Sequence, residues 1–93
     1  DHMKDYYSGS ADNYGVHINS GIPNKVFYLV SVAITTRKAG LLWFETLKKL
    51  SSEATFRQFK ATLLKTAKAL VERKQLPAKT ILSTRQAFSA VGL

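Results

Sequence analysis

Between Thr55 and Glu72 the apolar residues return at three- and four-residue intervals, and that spacing admits one local structure. Phe56, Phe59, Leu63, Ala67 and Leu70 fall on one face of an α-helix, while Arg57, Lys65 and Lys68 fall on the opposite face. Thr55-Phe56-Arg57-Gln58 opens the helix as a capping box, in which the threonine hydroxyl takes a first-turn N–H and the glutamine reaches back to the cap. A helix with one apolar stripe must bury it, so the rest of the chain has to supply packing partners.

Two further segments carry the same period. Gly40, Trp43, Leu47 and Leu50, with Phe44 alongside, predict an amphipathic helix over Arg37–Leu50, capped from Thr35-Thr36-Arg37-Lys38 and ended by Ser51-Ser52. Lys74-Gln75-Leu76-Pro77 then interrupts the pattern. Ile81, Thr84, Phe88 and Val91 predict a last helix over Ala78–Ala90, with Gly92 just past its end. The run Val26–Ile34 is almost continuously apolar, broken only by Ser31, and by itself it is ambiguous. Its valines and aromatics favour a buried strand, whereas Ser20 as a cap and Pro23 in the first turn favour a buried helix. At nine residues it falls well short of the roughly 20 that span a bilayer. An all-round apolar helix belongs at the centre of a domain. The expected core is Phe27, Leu29, Val30, Trp43, Phe44, Leu47, Phe59, Leu63, Leu70 and Phe88.

With 93 residues the chain is one domain, and it has no cysteine. Disulfides, thiolate metal sites and a thiol nucleophile are therefore excluded. Asp1–Asn19 is polar, contains three tyrosines and reads as an extended loop without the apolar core of a signal peptide.

The chemistry-bearing segment is Asp12-Asn13-Tyr14-Gly15-Val16-His17-Ile18-Asn19-Ser20-Gly21. A carboxylate precedes His17 by five residues, and a helix-start signal follows it by three. A carboxylate on one ring nitrogen fixes the tautomer and stabilises the imidazolium, leaving the other nitrogen free to donate outward. On spacing alone, a structural histidine tying loop to helix is the better reading. Metal binding is poorly provided for: the two histidines, His2 and His17, are fifteen residues apart, and His-Glu-x-x-His is absent.

From Asp12 through Lys25 this segment resembles the start of the C-terminal domain of the thermolysin-like zinc neutral metalloproteases. Asp1-His2-Met3 and Tyr7 resemble the loop before it. Lys38-Ala39-Gly40, Trp43-Phe44-Glu45-Thr46-Leu47, Ala54-Thr55-Phe56 and Gln86-Ala87-Phe88-Ser89-Ala90-Val91-Gly92 follow in family order. The resemblance implies an all-α fold, an N-terminal loop (1–19, the active-site loop) followed by about four packed helices (20–93), with helix from about Gly21 to Thr35.

The same resemblance assigns roles. His17 matches the histidine that donates a hydrogen bond to the oxygen becoming negative when zinc-bound water attacks the scissile carbonyl. Asp12 matches the aspartate holding its other nitrogen, and the pair reverses the structural reading of His17. Asn13 and Val16 match positions lining the substrate side. Tyr7 and His2 read as structural. Zinc is implied for the parent enzyme, its ligands lying outside this chain, and none is expected to bind this fragment.

The implied partners are the N-terminal zinc-binding lobe of the same protease and a peptide substrate cut before bulky apolar residues, with no membrane. The sequence opens in mid-motif, as expected of a piece of a secreted, exported parent, and should be inactive alone. Two departures stand out. Tyr14 replaces a glycine expected after Asn13, where a phenol would crowd the cleft rim. Ala33-Ile34-Thr35-Thr36 replaces a glycine-rich turn, so the first two helices should be joined more tightly.

Fourteen basic against six acidic residues give a net charge of +8. This fits a solvated face, a basic complement to an acidic N-terminal lobe, or a basic helical module for nucleic acid or another protein, using Arg57, Lys60, Lys65, Lys68, Arg73 and Lys74. No helix-turn-helix signature supports nucleic acid, and the basic residues are dispersed.

Overall fold

The computed structural model describes residues 21–93, which form four helices and, among the described residues, no strand. These are α1 (Gly21–Ile34), α2 (Thr36–Leu47), α3 (Phe56–Glu72) and α4 (Thr80–Ala90). The fold is all-α, and Val26–Ile34 is helix. Successive helices pack together, and α1 closes the ring on α4, which leaves α1 opposite α3 and α2 opposite α4.

One core lies at the centre of this ring. Val26, Val30 and Ile34 enter it from α1, Phe56, Phe59, Leu63, Ala67 and Leu70 from α3, and Ala87 and Phe88 from α4. Aromatic rings link all four helices edge to face. Phe27 meets Trp43 at 5.0 Å, Trp43 meets Phe59 at 6.0 Å, and Phe59 meets Phe88 at 5.9 Å. Each such pair adds about 0.5–1.5 kcal/mol beyond the area it buries.

The capping box of α3 is formed as its sequence specifies. The Gln58 backbone N–H donates to Thr55 Oγ1 at 3.1 Å, and the Thr55 N–H donates to Gln58 Oε1 at 2.8 Å. The other ends of α3 and α4 share one motif. After α4, the Leu93 N–H reaches the Phe88 carbonyl at 2.8 Å and the Gly92 N–H reaches Ser89 at 3.0 Å, with Gly92 at φ 87°. After α3, the Gln75 N–H reaches the Leu70 carbonyl at 2.9 Å and the Lys74 N–H reaches Val71 at 2.9 Å, but here Lys74 holds φ 62°. Left-handed backbone at a residue with a Cβ costs about 1–2 kcal/mol.

Helix α2 corrects the expected core. Phe44 is 61% exposed and Leu47 is 54% exposed, while Ala39, Leu42 and Thr46 are buried. The inward stripe is rotated from the one traced by the largest side chains. Thr46 fits inside because its hydroxyl donates to the Leu42 carbonyl at 2.8 Å, so no polar group is left unpaired. Phe44 instead lies under the Lys48 ammonium, 5.0 Å from the ring centroid. Helix boundaries shift for a related reason. The Lys49 and Leu50 N–H groups bond three residues back, at 3.0 and 3.2 Å, so α2 ends at Leu47 rather than Leu50. The Thr80 N–H bonds back to Pro77 at 3.0 Å, and α4 begins at Thr80 rather than Ala78.

The junction of α1 and α2 is a single residue. The Thr35 N–H closes α1 on the Ser31 carbonyl at 2.8 Å, and its own carbonyl accepts the Ala39 N–H at 3.0 Å. Its φ of 89° with ψ of 152° lies where glycine is the usual occupant. Such backbone costs about 1–3 kcal/mol, partly offset by the side chain, which caps Lys38. Thr35→Gly should therefore raise stability by about 1 kcal/mol, the lost cap costing only a few tenths. Thr35→Ala keeps the strain, loses the cap and should lower stability by about 1 kcal/mol. Urea unfolding of both variants checks the order, and the reverse order would refute the strained junction.

Candidate functional site

The segment carrying His17 leads directly into α1, so α1 sets where that segment is anchored. Helix α1 is well fixed. Pro23, Val26, Val30 and Ile34 are buried along one side, and Phe27 packs on Trp43 of α2. Its first residue, Gly21, follows His17 by four positions. Asp12, Asn13, Val16 and His17 themselves lie outside the described residues, as do His2, Tyr7, Tyr14 and the cap Ser20.

The described residues form a bundle around an apolar core. Its buried polar side chains are Thr46, Thr66, Thr80 and Thr84, with no buried acid or base among the described residues. No group of three or more histidine, cysteine, aspartate or glutamate side chains there is placed to hold a metal ion. The described residues thus do not fit a zinc site, and no catalytic step is derived through one. Among the described residues no helix is long and apolar enough to cross a membrane.

The basic residues also separate by role. Arg57, Lys65, Lys68, Arg73 and Lys74 are exposed. Lys60 is not free, because its Nζ donates to the Leu93 carbonyl at 3.0 Å and lies 5.8 Å from the Phe88 ring.

An open apolar face is the feature that the side-chain pattern alone did not locate. Helix α1 was expected at the centre, yet Tyr28 is 60% exposed and Val32 is 70% exposed, on the side away from its buried stripe. Lys25 covers Tyr28 only in part, its Nζ 5.7 Å from the ring. Beside Val32, Leu29 and Ala33 open onto a groove of about 200 Å³ shared with Ser83, Gln86, Ala87 and Ala90 of α4. The signal was in the sequence: a helix apolar all round needs cover on every side, and three neighbouring helices cannot all touch it in a ring.

The comparisons with known proteins agree with this architecture. The family model described as thermolysin metallopeptidase, alpha-helical domain, matches residues 1–93. The chain is 46% identical over 63 residues to an extracellular metalloprotease of Pectobacterium carotovorum subsp. carotovorum, covering 62% of this chain and 18% of that protein. It is 41% identical over 78 residues to Protease PrtS of Photorhabdus sp. (strain Az29), covering 76% of this chain and 21% of that protein. Thermolysin of Alicyclobacillus acidocaldarius subsp. acidocaldarius is 35% identical over 104 aligned positions, covering 100% of this chain and 18% of that protein. The chain thus spans about a fifth of the length of these curated relatives. No solved structure gives a significant match. Matched from its first residue to its last by that model, and built of four helices in the described part, the chain belongs to the thermolysin metallopeptidase family as its α-helical domain.

Proposed function

We propose that this chain is the C-terminal lobe of a secreted zinc metalloendopeptidase, with residues 1–19 as its active-site loop and 20–93 as the helical bundle behind it. The whole-length match to the metallopeptidase helical domain carries the reading. In it, His17 donates a hydrogen bond to the scissile carbonyl oxygen as that oxygen gains charge, and Asp12 holds the other ring nitrogen. Asn13 and Val16 line the substrate side. Zinc is held by residues of the parent outside this sequence, and the N-terminal lobe is the partner. The open α1 face and the net charge of +8 supply an apolar surface and a cationic field for that lobe.

The Asp12 role is tested by the pH dependence of kcat/KM in the complete enzyme. Imidazolium is the donor, so activity is full below the His17 pKa and falls as pH rises through it. A neighbouring carboxylate raises that pKa, and the positive end of α1, which lowers it, is the weaker influence. Asp12→Ala should therefore move the alkaline fall downward by about 1–3 pH units. An unmoved profile would remove Asp12 from the role while leaving the family membership intact.

A further inference from the structure

The geometry points to a second peptide-binding site, a lysine-rimmed groove between α2 and the α3–α4 connection that takes an apolar side chain flanked by a carboxylate. The groove has a volume of about 480 Å³ and is lined by Val71, Leu76, Pro77 and Ala78, with Lys38, Lys74 and Gln75 completing it. That volume is within the range of small-ligand and short-peptide pockets. Its lining is apolar at the walls and cationic at two points, and no carboxylate lines it.

Two observations bear on these two lysines. Both are exposed, and the described ion pairing is at Lys48–Glu45, so neither has a carboxylate partner among the described residues. Lys74, which lines the groove, holds left-handed backbone with φ 62°. Strained backbone held by its surroundings is more frequent at binding sites than elsewhere, and a glycine would serve the end of α3 more cheaply. Charge complementarity therefore selects an acidic occupant, and the apolar walls select one with a Leu-like side chain. The site is separate from the open α1 face and does not depend on the His17 reading.

The test uses the 93-residue chain and a fluorescein-labelled peptide of alternating leucine and glutamate, followed by anisotropy at low ionic strength. Binding should perturb the amide resonances of Lys38, Val71, Lys74, Gln75, Leu76 and Ala78. Lys74→Gly should weaken binding about threefold, and Lys38→Ala combined with Lys74→Gly about tenfold. Because Lys74→Gly also relieves left-handed strain, its thermal midpoint should stay level or rise, which separates lost binding from lost folding. Equal affinity for the leucine–glutamine analogue would overturn the proposal. So would an equal loss from Lys65→Ala with Lys68→Ala on the outer face of α3, or the absence of binding. A single-stranded oligonucleotide perturbing the same amides more tightly than the peptide would overturn it in favour of nucleic acid.

Discussion

Phe59→Ala should lower the stability of the domain by about 3–5 kcal/mol. Phe59 is only 2% exposed and is the one ring that touches both Trp43 and Phe88. Truncation removes its own buried surface, opens a cavity where α2, α3 and α4 meet, and ends two edge-to-face contacts. The walls of that cavity are helices held by each other, so collapse into it is incomplete. Domains of this size have about 5–15 kcal/mol in total, so the loss is a large share. The melting temperature followed by circular dichroism should fall by about 15–30 °C. Phe44→Ala is the control, because Phe44 is 61% exposed and should cost no more than about 0.5 kcal/mol. Similar losses for the two variants would contradict the inward placing of Phe59 on α3 and the outward placing of Phe44 on α2.

His17→Ala in the complete protease should lower kcat/KM by about 10²–10³, the usual cost of losing one donor to a developing oxyanion. The interaction strengthens as charge moves onto the carbonyl oxygen, so the loss should fall on kcat more than on KM. His17→Gln is the informative companion. Its amide can donate but carries no charge and cannot be held by Asp12 in the same way, so partial activity is expected. A histidine that merely tied the loop to α1 would behave differently. Its removal would lower the melting temperature, with kcat nearly unchanged in the folded fraction. That result would leave the family assignment standing and remove the mechanism.

The legibility of this chain differs from helix to helix. Helix α3 was readable in full because its cap, its apolar spacing and its breaker all act within a few residues of one another. Phe56, Phe59, Leu63, Ala67 and Leu70 are all buried, as that spacing requires. Val26–Ile34 was not readable from periodicity, because an element apolar on all sides shows none, and the family resemblance decided it. In α2 the large side chains pointed to the wrong face. Ala39 and Thr46 pack inward, an outcome set by the helices around α2 rather than by the size of its own side chains. For the candidate site, the motif from Asp12 to Gly21 was legible as chemistry, and all of it before Gly21 lies outside the described residues. The groove rimmed by Lys38 and Lys74 had no signal in the chain order, since 36 positions separate the two lysines.

Local spacing and hydrogen-bonding side chains by themselves determined that three segments of this protein are helical and roughly where those helices begin and stop. Those properties depend on contacts a few residues apart, which any reader of the chain can count. Only the tertiary structure decided that α1 keeps an uncovered apolar side, that Thr35 and Lys74 take backbone suited to glycine, and that Phe44 faces water. These outcomes follow from closing four helices into a ring, where each contact is set by residues distant in sequence and local preference yields to the packing of the whole.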